Sequence, residues 1–269
     1  MPSDAGRYTH GHAESVLRSH RWRTAENSCA YLLPRLQPGQ SLLDLGAGPG
    51  TITCDLAARV SPGQVTAVEA NADAADVTRA GVAGVSAPAV SVVVSDAHHL
   101  DLPDDSFDIT HAHQVLQHVA DPIQVLREMA RVTVPGGTIA VRDSDYAAFA
   151  WWPHDDRLDR WMSLYQKAAR SNGGEPNAGR RLLAWAHSAG LRDIVASGSS
   201  WCLATPDDRA WWGGMWADRI LQSALTDQLL SEGWSDQLEL QAISQAWQDW
   251  ADHSDGWINI FSAELLITV

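Results

Sequence analysis

Three carboxylates stand where apolar runs give way to turns, and they are the residues of this chain best placed to do chemistry: Asp44 in SLLDLGAGPGT, Glu69 in VTAVEA and Asp96 in VVVSDA. Asp44 is followed by Gly46, Gly48 and Gly50. Glycine accepts positive φ and lets the backbone approach a ligand with no Cβ in the way, so the stretch reads as a sharp strand-to-helix turn with the helix opening near Thr51. The dinucleotide pattern G-x-G-x-x-G sets a pyrophosphate on such a helix start. Here the third glycine comes one residue early, and a carboxylate beside the loop repels a pyrophosphate and attracts an ammonium group. Glu69, ending the second predicted strand, can accept two hydrogen bonds from ribose hydroxyls. Asp96, after the third, can accept one from an adenine amino group. An amino acid part, a ribose and an adenine together describe S-adenosyl-L-methionine.

The elements that must position these groups follow from the pattern around them. Short β-like runs alternate with helical segments through the first half (SLLDL, TCDLAARV, QVTAVEA, DAADVTRAGV, AVSVVVS, FDITHA, PIQVLREMARV, GGTIAVRD). That alternation predicts a parallel sheet covered by helices on both faces. Pro38-Gly39, Pro62-Gly63 and Pro135-Gly136 each precede a predicted strand, where a turn belongs, and Asp121-Pro122 reads as a helix opening. After Asp145 come helical stretches (DRLDRWMSLYQKAAR, GRRLLAWAHSAG), a strand (DIVASGSSWCLA), a Trp-bearing helical region from about Pro206 to Asp252, and a closing strand, FSAELLITV.

The residues DLGAGPGT (44–51), VEAN (68–71), SDAHHLDLPDDSFD (95–108), HQVLQHVADP (113–122) and EMARVTVPGGTIAV (128–141) together resemble the class I S-adenosylmethionine-dependent methyltransferases, and most the small-molecule branch that includes the ubiquinone and menaquinone biosynthesis enzymes. The resemblance is close over about residues 38–142. It implies an α/β fold: a doubly wound, seven-stranded, Rossmann-like sheet with the last strand antiparallel. It also implies S-adenosyl-L-methionine as cofactor and S-adenosyl-L-homocysteine as product. By position, Asp44, Gly46, Ala47, Gly48, Gly50 and Thr51 would hold the methionine part, Glu69 and Ala70 the ribose, and Asp96 with Ala97 the adenine. Asn71, His113 and Gln114 are added at the same strand ends. The expected organisation is a helical lid over 1–37, a cofactor-binding core over 38–145, and over 146–269 the last two strands with helical cap insertions.

In an open α/β sheet the reacting groups lie beyond the carboxyl ends of the strands. That selects His111, His113 and His118 after the fourth strand and Arg142, Asp143, Asp145 and Tyr146 after the fifth; His113, His118, Asp143 and Tyr146 are the catalytic candidates. His111 and His113, two apart, could form a metal pair, but packing positions weigh more and no metal is expected. Tyr8, His20 and Trp22 are the expected lid contacts with substrate. The chain has 13 Trp against 3 Phe and 4 Tyr, clustered as WWPHDDRLDRW and WWGGMW. Most should pack the cap. Trp151 and Trp212 are expected to touch an aromatic, apolar or amine acceptor, the last by cation–π contact.

A formal charge of −14 argues against nucleic acid and anionic membranes as partners, since both need clustered Lys and Arg. No run approaches the roughly 18 apolar residues of a membrane span, and a cytoplasmic location is the expectation. Cys29, Cys54 and Cys202 share no CxxC spacing and read as reduced thiols, which also makes arsenic chemistry a poor fit. The expected protein methylates an O, N or C atom of a small-molecule metabolite, a secondary metabolite being the broader choice, with a homodimer open. The alternatives are a regulatory or partner protein that binds the cofactor without methyl transfer, and a nicotinamide oxidoreductase, which Asp44 and the glycine spacing oppose.

Overall fold

The computed structural model describes residues 20–83 and 90–269. In chain order its main elements are α1 (Ala25–Ser28), β1 (Leu42–Leu45), α2 (Thr51–Val60), β2 (Val65–Glu69), α3 (Ala72–Val82), β3 (Val90–Val94), β4 (Phe107–His113), α4 (Pro122–Val132), β5 (Thr133–Ser144), β6 (Ala150–Trp152), α5 (Asp156–Ser171), α6 (Leu182–Ala189), β7 (Asp193–Leu203), α7 (Pro206–Arg219), α8 (Ala224–Ser231), α9 (Gln237–Asp252) and β8 (Trp257–Thr268). Strands β3, β2, β1, β4 and β5 lie side by side in parallel, and β8 runs antiparallel beside β5. Strand β7 covers the other edge of β8 along its length. The eighth strand, three-residue β6, was not anticipated: Trp151 pairs with Ile258 on the edge that β5 has just left.

Alternation decides which residue faces which layer. On β1, Leu43 and Leu45 point to the side packed by Val125, Leu126 and Met129 of α4 and Leu182 and Trp185 of α6. Leu42 points to the opposite side, where α1 and α2 contribute Ala25, Leu56 and Val60. Helix α4 begins where expected, with Asp121 accepting from the N–H of Gln124 (3.0 Å) and Pro122 in the first turn. The third Pro–Gly pair does not precede its strand. Thr133 already pairs with Phe107, and the register then shifts to Ile109 with Thr138, so Pro135 and Gly136 leave the ladder inside β5. The helix expected over the N-terminal stretch is broken in the described part, because Thr24 caps the separate short helix α1.

A third core lies over the carboxyl end of the sheet. Helices α5, α7 and α9 bury Trp161, Trp212, Trp216, Trp247 and Trp250 against Tyr146, Trp201, Ile258 and Ile260. Trp161 meets Trp216 edge-on at 4.6 Å and Trp247 at 4.9 Å between ring centroids. Such pairs add about 0.5–1.5 kcal/mol each beyond their buried area, which fastens the cap helices to one another. Gly213 permits the close approach of α7 to α9: a Cβ there would stand 2.6 Å from the carbonyl oxygen of Trp247. Among the described residues no helix is long and apolar enough to cross a membrane.

Candidate active site

The chain leaves β1 toward β2 and β3 on one side, while β4, β5 and β8 extend the sheet on the other, so a crevice forms at the carboxyl ends of β1 and β4. Ligands of doubly wound sheets bind at this switch point. A cavity of about 650 Å³ opens there, within the range of small-molecule sites. The glycine turn forms its floor. Gly46, Gly48 and Gly50 all have positive φ (70°, 59° and 78°). A Cβ on Gly46 would lie 2.6 Å from Cγ2 of Val115, and one on Gly50 would lie 2.8 Å from Cγ1 of Val82, whereas at Gly48 nothing comes nearer than 4.0 Å. Gly46 and Gly50 are thus required by packing, while Gly48 turns its bare face to the cavity. Asparagine tolerates the left-handed region, so Gly48→Asn should melt within a few degrees of the wild type. It should also weaken cofactor binding by at least about tenfold, measured by calorimetric titration.

All three carboxylates line this cavity. Glu69 accepts from the N–H of Gly48 and from Thr78 Oγ1 (3.4 Å). Burial, with the nearby charge of Asp44, pushes its pKa up to about 7. Asp96 is exposed, and its Oδ1 accepts from the N–H of His98 (2.9 Å) with His98 Nδ1 at 2.7 Å; the backbone bond leads in holding its carboxyl below the usual range. Asp44 is 2 % exposed. Its Oδ2 accepts from Thr53 Oγ1 at 2.5 Å, and its Oδ1 lies 2.7 Å from His111 Nδ1. A carboxylate can accept about four hydrogen bonds, so a ligand ammonium would share Asp44 with these partners. His111 Nε2 lies 3.2 Å from Cys29 Sγ. Burial disfavours charge on this ring, yet Cys29 and Asp44 together push its pKa up to about 10. Both nitrogens of His111 are therefore used, and among the described residues it joins no group with metal-ligand geometry.

Ala47, Ala70, Asn71, Thr51, Ala97, His113, Gln114, His118, Tyr146, Trp212 and His20 also line the cavity. Asn71 also caps α3, accepting from the N–H of Ala74 at 3.0 Å. Gln114 holds a positive φ of 55°, a strained conformation that surrounding structure must enforce. The enforcement is visible: its N–H donates to the Arg142 carbonyl (2.7 Å), its Nε2 to Ser144 Oγ (2.7 Å), and its Oε1 accepts from Arg23 (2.8 Å). His113 is 6 % exposed, and neither ring nitrogen has a hydrogen-bond partner. Burial, then the charges of Arg142 and Arg23, hold its pKa well below the ordinary value, so the ring is neutral. Burial and Arg23 likewise bring His118 to about 4.

Several expected contacts lie elsewhere. Asp143 is fully buried behind the wall, accepting from the N–H of Gln117 (3.1 Å), and burial pushes its pKa up to about 7. It fixes the turn carrying Gln117 and does not reach the cavity, because alternation along β5 directs it inward. Asp145 is tied to Arg180 (2.6 Å). Trp151 does not line the cavity either: β6 sends it against Trp161 in the cap, 6.2 Å away edge-on. Trp22 stands behind the wall, packing on Trp201 (5.2 Å) and Trp211 (5.0 Å). Tyr8 lies outside the described residues. The sequence reading missed Trp201, Trp211, Trp216, Phe149 and Arg219, which do line the cavity. The one available signal was the i, i+4 spacing of Trp212 and Trp216.

The comparisons with known proteins agree with this geometry. Residues 43–141 match the methyltransferase domain family. An uncharacterised methyltransferase of Schizosaccharomyces pombe is 32 % identical over 265 residues, 95 % of this chain and 94 % of that one. A demethylmenaquinone methyltransferase of Mycolicibacterium paratuberculosis is 34 % identical over 193 residues, 70 % of this chain and 76 % of that protein. The YcgJ protein of Bacillus subtilis has the same fold, with TM-score 0.57 and 20 % identity over 90 % of this chain and 98 % of that one. The chain belongs to the class I S-adenosylmethionine-dependent methyltransferases, a family whose cofactor is S-adenosylmethionine.

Proposed function

We propose that this protein transfers the methyl group of S-adenosyl-L-methionine to a small molecule, releasing S-adenosyl-L-homocysteine. The observation that carries this reading is the convergence of Asp44, Glu69 and Asp96 on one cavity whose floor is the open face of Gly48. Those acceptors fit the cofactor: carboxylates to receive hydrogen bonds from an ammonium, a ribose diol and an adenine amine, and a cradle with no side chain. When bound, the cofactor supplies a methyl carbon on a sulfonium, open to in-line displacement.

The chain's own residues then align the acceptor and exclude water. Asp44 and Gly46–Thr51 hold the methionine part, Glu69, Ala70 and Asn71 the ribose, and Asp96 and Ala97 the adenine. His113, Gln114, His118 and Tyr146 face the acceptor, with Trp212 on its wall. Tyr146 is kept flat by stacking on Tyr165 (4.1 Å) and Phe149 (4.6 Å). In this reading residues 38–145 form the cofactor core and 146–269 the end of the sheet with the cap; most of the lid expected over 1–37 lies outside the described residues, and the described part from Ala25 to Leu32 packs in the core on the sheet. The acceptor atom is O, N or C of a metabolite, the setting is cytoplasmic, and a homodimer is compatible with it.

Calorimetric titration with S-adenosylmethionine and S-adenosylhomocysteine is the test. Micromolar binding of both, followed by a one-methyl mass increase in a screened acceptor, is the expected result. Binding of both with no acceptor methylated across a broad panel would favour a cofactor-binding regulatory protein, and binding of neither would remove the reading.

A further inference from the structure

The aromatic half of the cavity has a sign of charge. The guanidinium of Arg142 stands 4.9 Å from the Trp201 ring centroid, that of Arg23 stands 5.6 Å from the same ring, and that of Arg219 stands 4.8 Å from Trp216. Arg23, Arg219 and both tryptophans line the cavity. Arg142 lies just behind, fully buried: its Nε donates to Ser199 Oγ (3.1 Å) and Glu264 Oε1 (3.3 Å), while Nη1 and Nη2 have no partner.

Carboxylates are placed the other way. The acidic residues lining the cavity are Asp44, Glu69, Asp96 and Asp121. The first three end or follow β1 to β3, and the backbone N–H of Asp121 is 3.3 Å from the Nε2 of His98, beside Asp96. Among the described residues none lines the aromatic half. Glu264 and Asp143 are near it but behind the wall, Glu264 also accepting from Ser197 and Ser199, and Asp143 from Gln117. Neutral His113 and Trp212 belong to the same wall, their ring nitrogens buried within it and without a partner.

An ammonium acceptor would need the π faces that the arginines already hold, and it would be repelled by them. A flat oxyanion meets guanidinium charge beside it and an aromatic wall that also includes Phe149, Trp211 and Trp212. We infer that the acceptor of this enzyme is a planar aromatic or conjugated acid bound as its anion, a phenolate, enolate or carboxylate, and that amine acceptors are rejected. The inference rests on the methyl-transfer reading for the fate of that anion. The acid releases its proton to solvent on binding, and the anion's electron pair forms the new bond to the methyl carbon. The methyl–sulfur bond breaks with its pair staying on sulfur as a thioether. No protein base is consumed, in keeping with a His113 that does not take up a proton.

The test uses the full chain and two matched pairs of probes: 4-nitrophenol against 4-nitrobenzylamine, and 2-naphthoate against 2-naphthylmethylamine. Each is titrated by calorimetry with and without saturating S-adenosylhomocysteine. Each acid should bind at least about tenfold more tightly than its amine. Bound 4-nitrophenol should show phenolate absorption at a pH about one unit below its own pKa. In Arg219→Gln, whose melting temperature is checked first, the acid preference should fall severalfold. Amines binding as tightly as acids, 4-nitrophenol bound in its protonated form, or no saturable binding of either acid would overturn the inference. Binding of S-adenosylhomocysteine is read separately, so its absence counts against the methyltransferase reading and an amine preference counts against the acceptor class alone.

Discussion

Replacing His111 by leucine should lower the unfolding free energy by about 3–5 kcal/mol, the usual result of leaving one member of a buried charge pair behind. Among the described residues Asp44 would keep only Thr53 as a side-chain partner, at a site 2 % exposed, and Cys29 would lose the ring that sits 3.2 Å from its Sγ. Urea unfolding at neutral pH measures the effect. The histidine's folded pKa stands at about 10 against an ordinary 6.5. Its contribution is therefore whole below pH 6.5 and is lost as pH rises through about 10, so the gap between wild type and variant should narrow in alkali. Adding Asp44→Asn to His111→Leu removes the orphaned charge and should recover part of the loss. A His111→Leu protein as stable as the wild type would mean that the Asp44–His111–Cys29 row is ordinary packing.

Glu69→Ala should weaken S-adenosylmethionine binding by about tenfold to 150-fold, the range for losing hydrogen bonds to a charged group, with little change in the melting temperature of the cofactor-free protein. The pKa of about 7 adds a signature. The carboxylate that accepts from ribose hydroxyls is ionised only above that value, so wild-type affinity should rise between pH 6 and 8, and Glu69→Gln should flatten the slope. The same shift acts on stability in the opposite sense. A carboxyl whose pKa is raised from 4.5 by folding loses stability as pH climbs through about 7, so cofactor-free Glu69→Gln should be no less stable than the wild type at pH 8. Equal affinity in wild type and Glu69→Ala would defeat the ribose assignment.

The two variants also separate two kinds of legibility. Glu69 could be chosen from sequence because it ends a strand in a repeating α/β pattern, and parallel strands of such a pattern must place their ends in one crevice. His111 could be located but not understood. Its partner Cys29 is 82 residues away in sequence, and only the docking of α1 on the sheet brings the thiol to the ring. Asp143 shows the converse error: it follows the right strand, but its side chain alternates away from the cavity.

By itself the sequence determined the parallel core, the glycine turn and the three carboxylates, because each depends on local chemistry: alternation, positive φ at glycine, and acids at strand ends; the antiparallel direction of the closing strand was implied only by the family resemblance. The acceptor wall was decided by tertiary structure alone. Which of 13 tryptophans face the cavity depends on how α7 and α9 meet, on the edge that β6 occupies, and on where β7 leaves Trp201. The arginines that give that wall its charge come from positions 23, 142 and 219: the loop before α1, strand β5 and helix α7. No spacing rule links them, and only packing puts them on the faces of the same two rings.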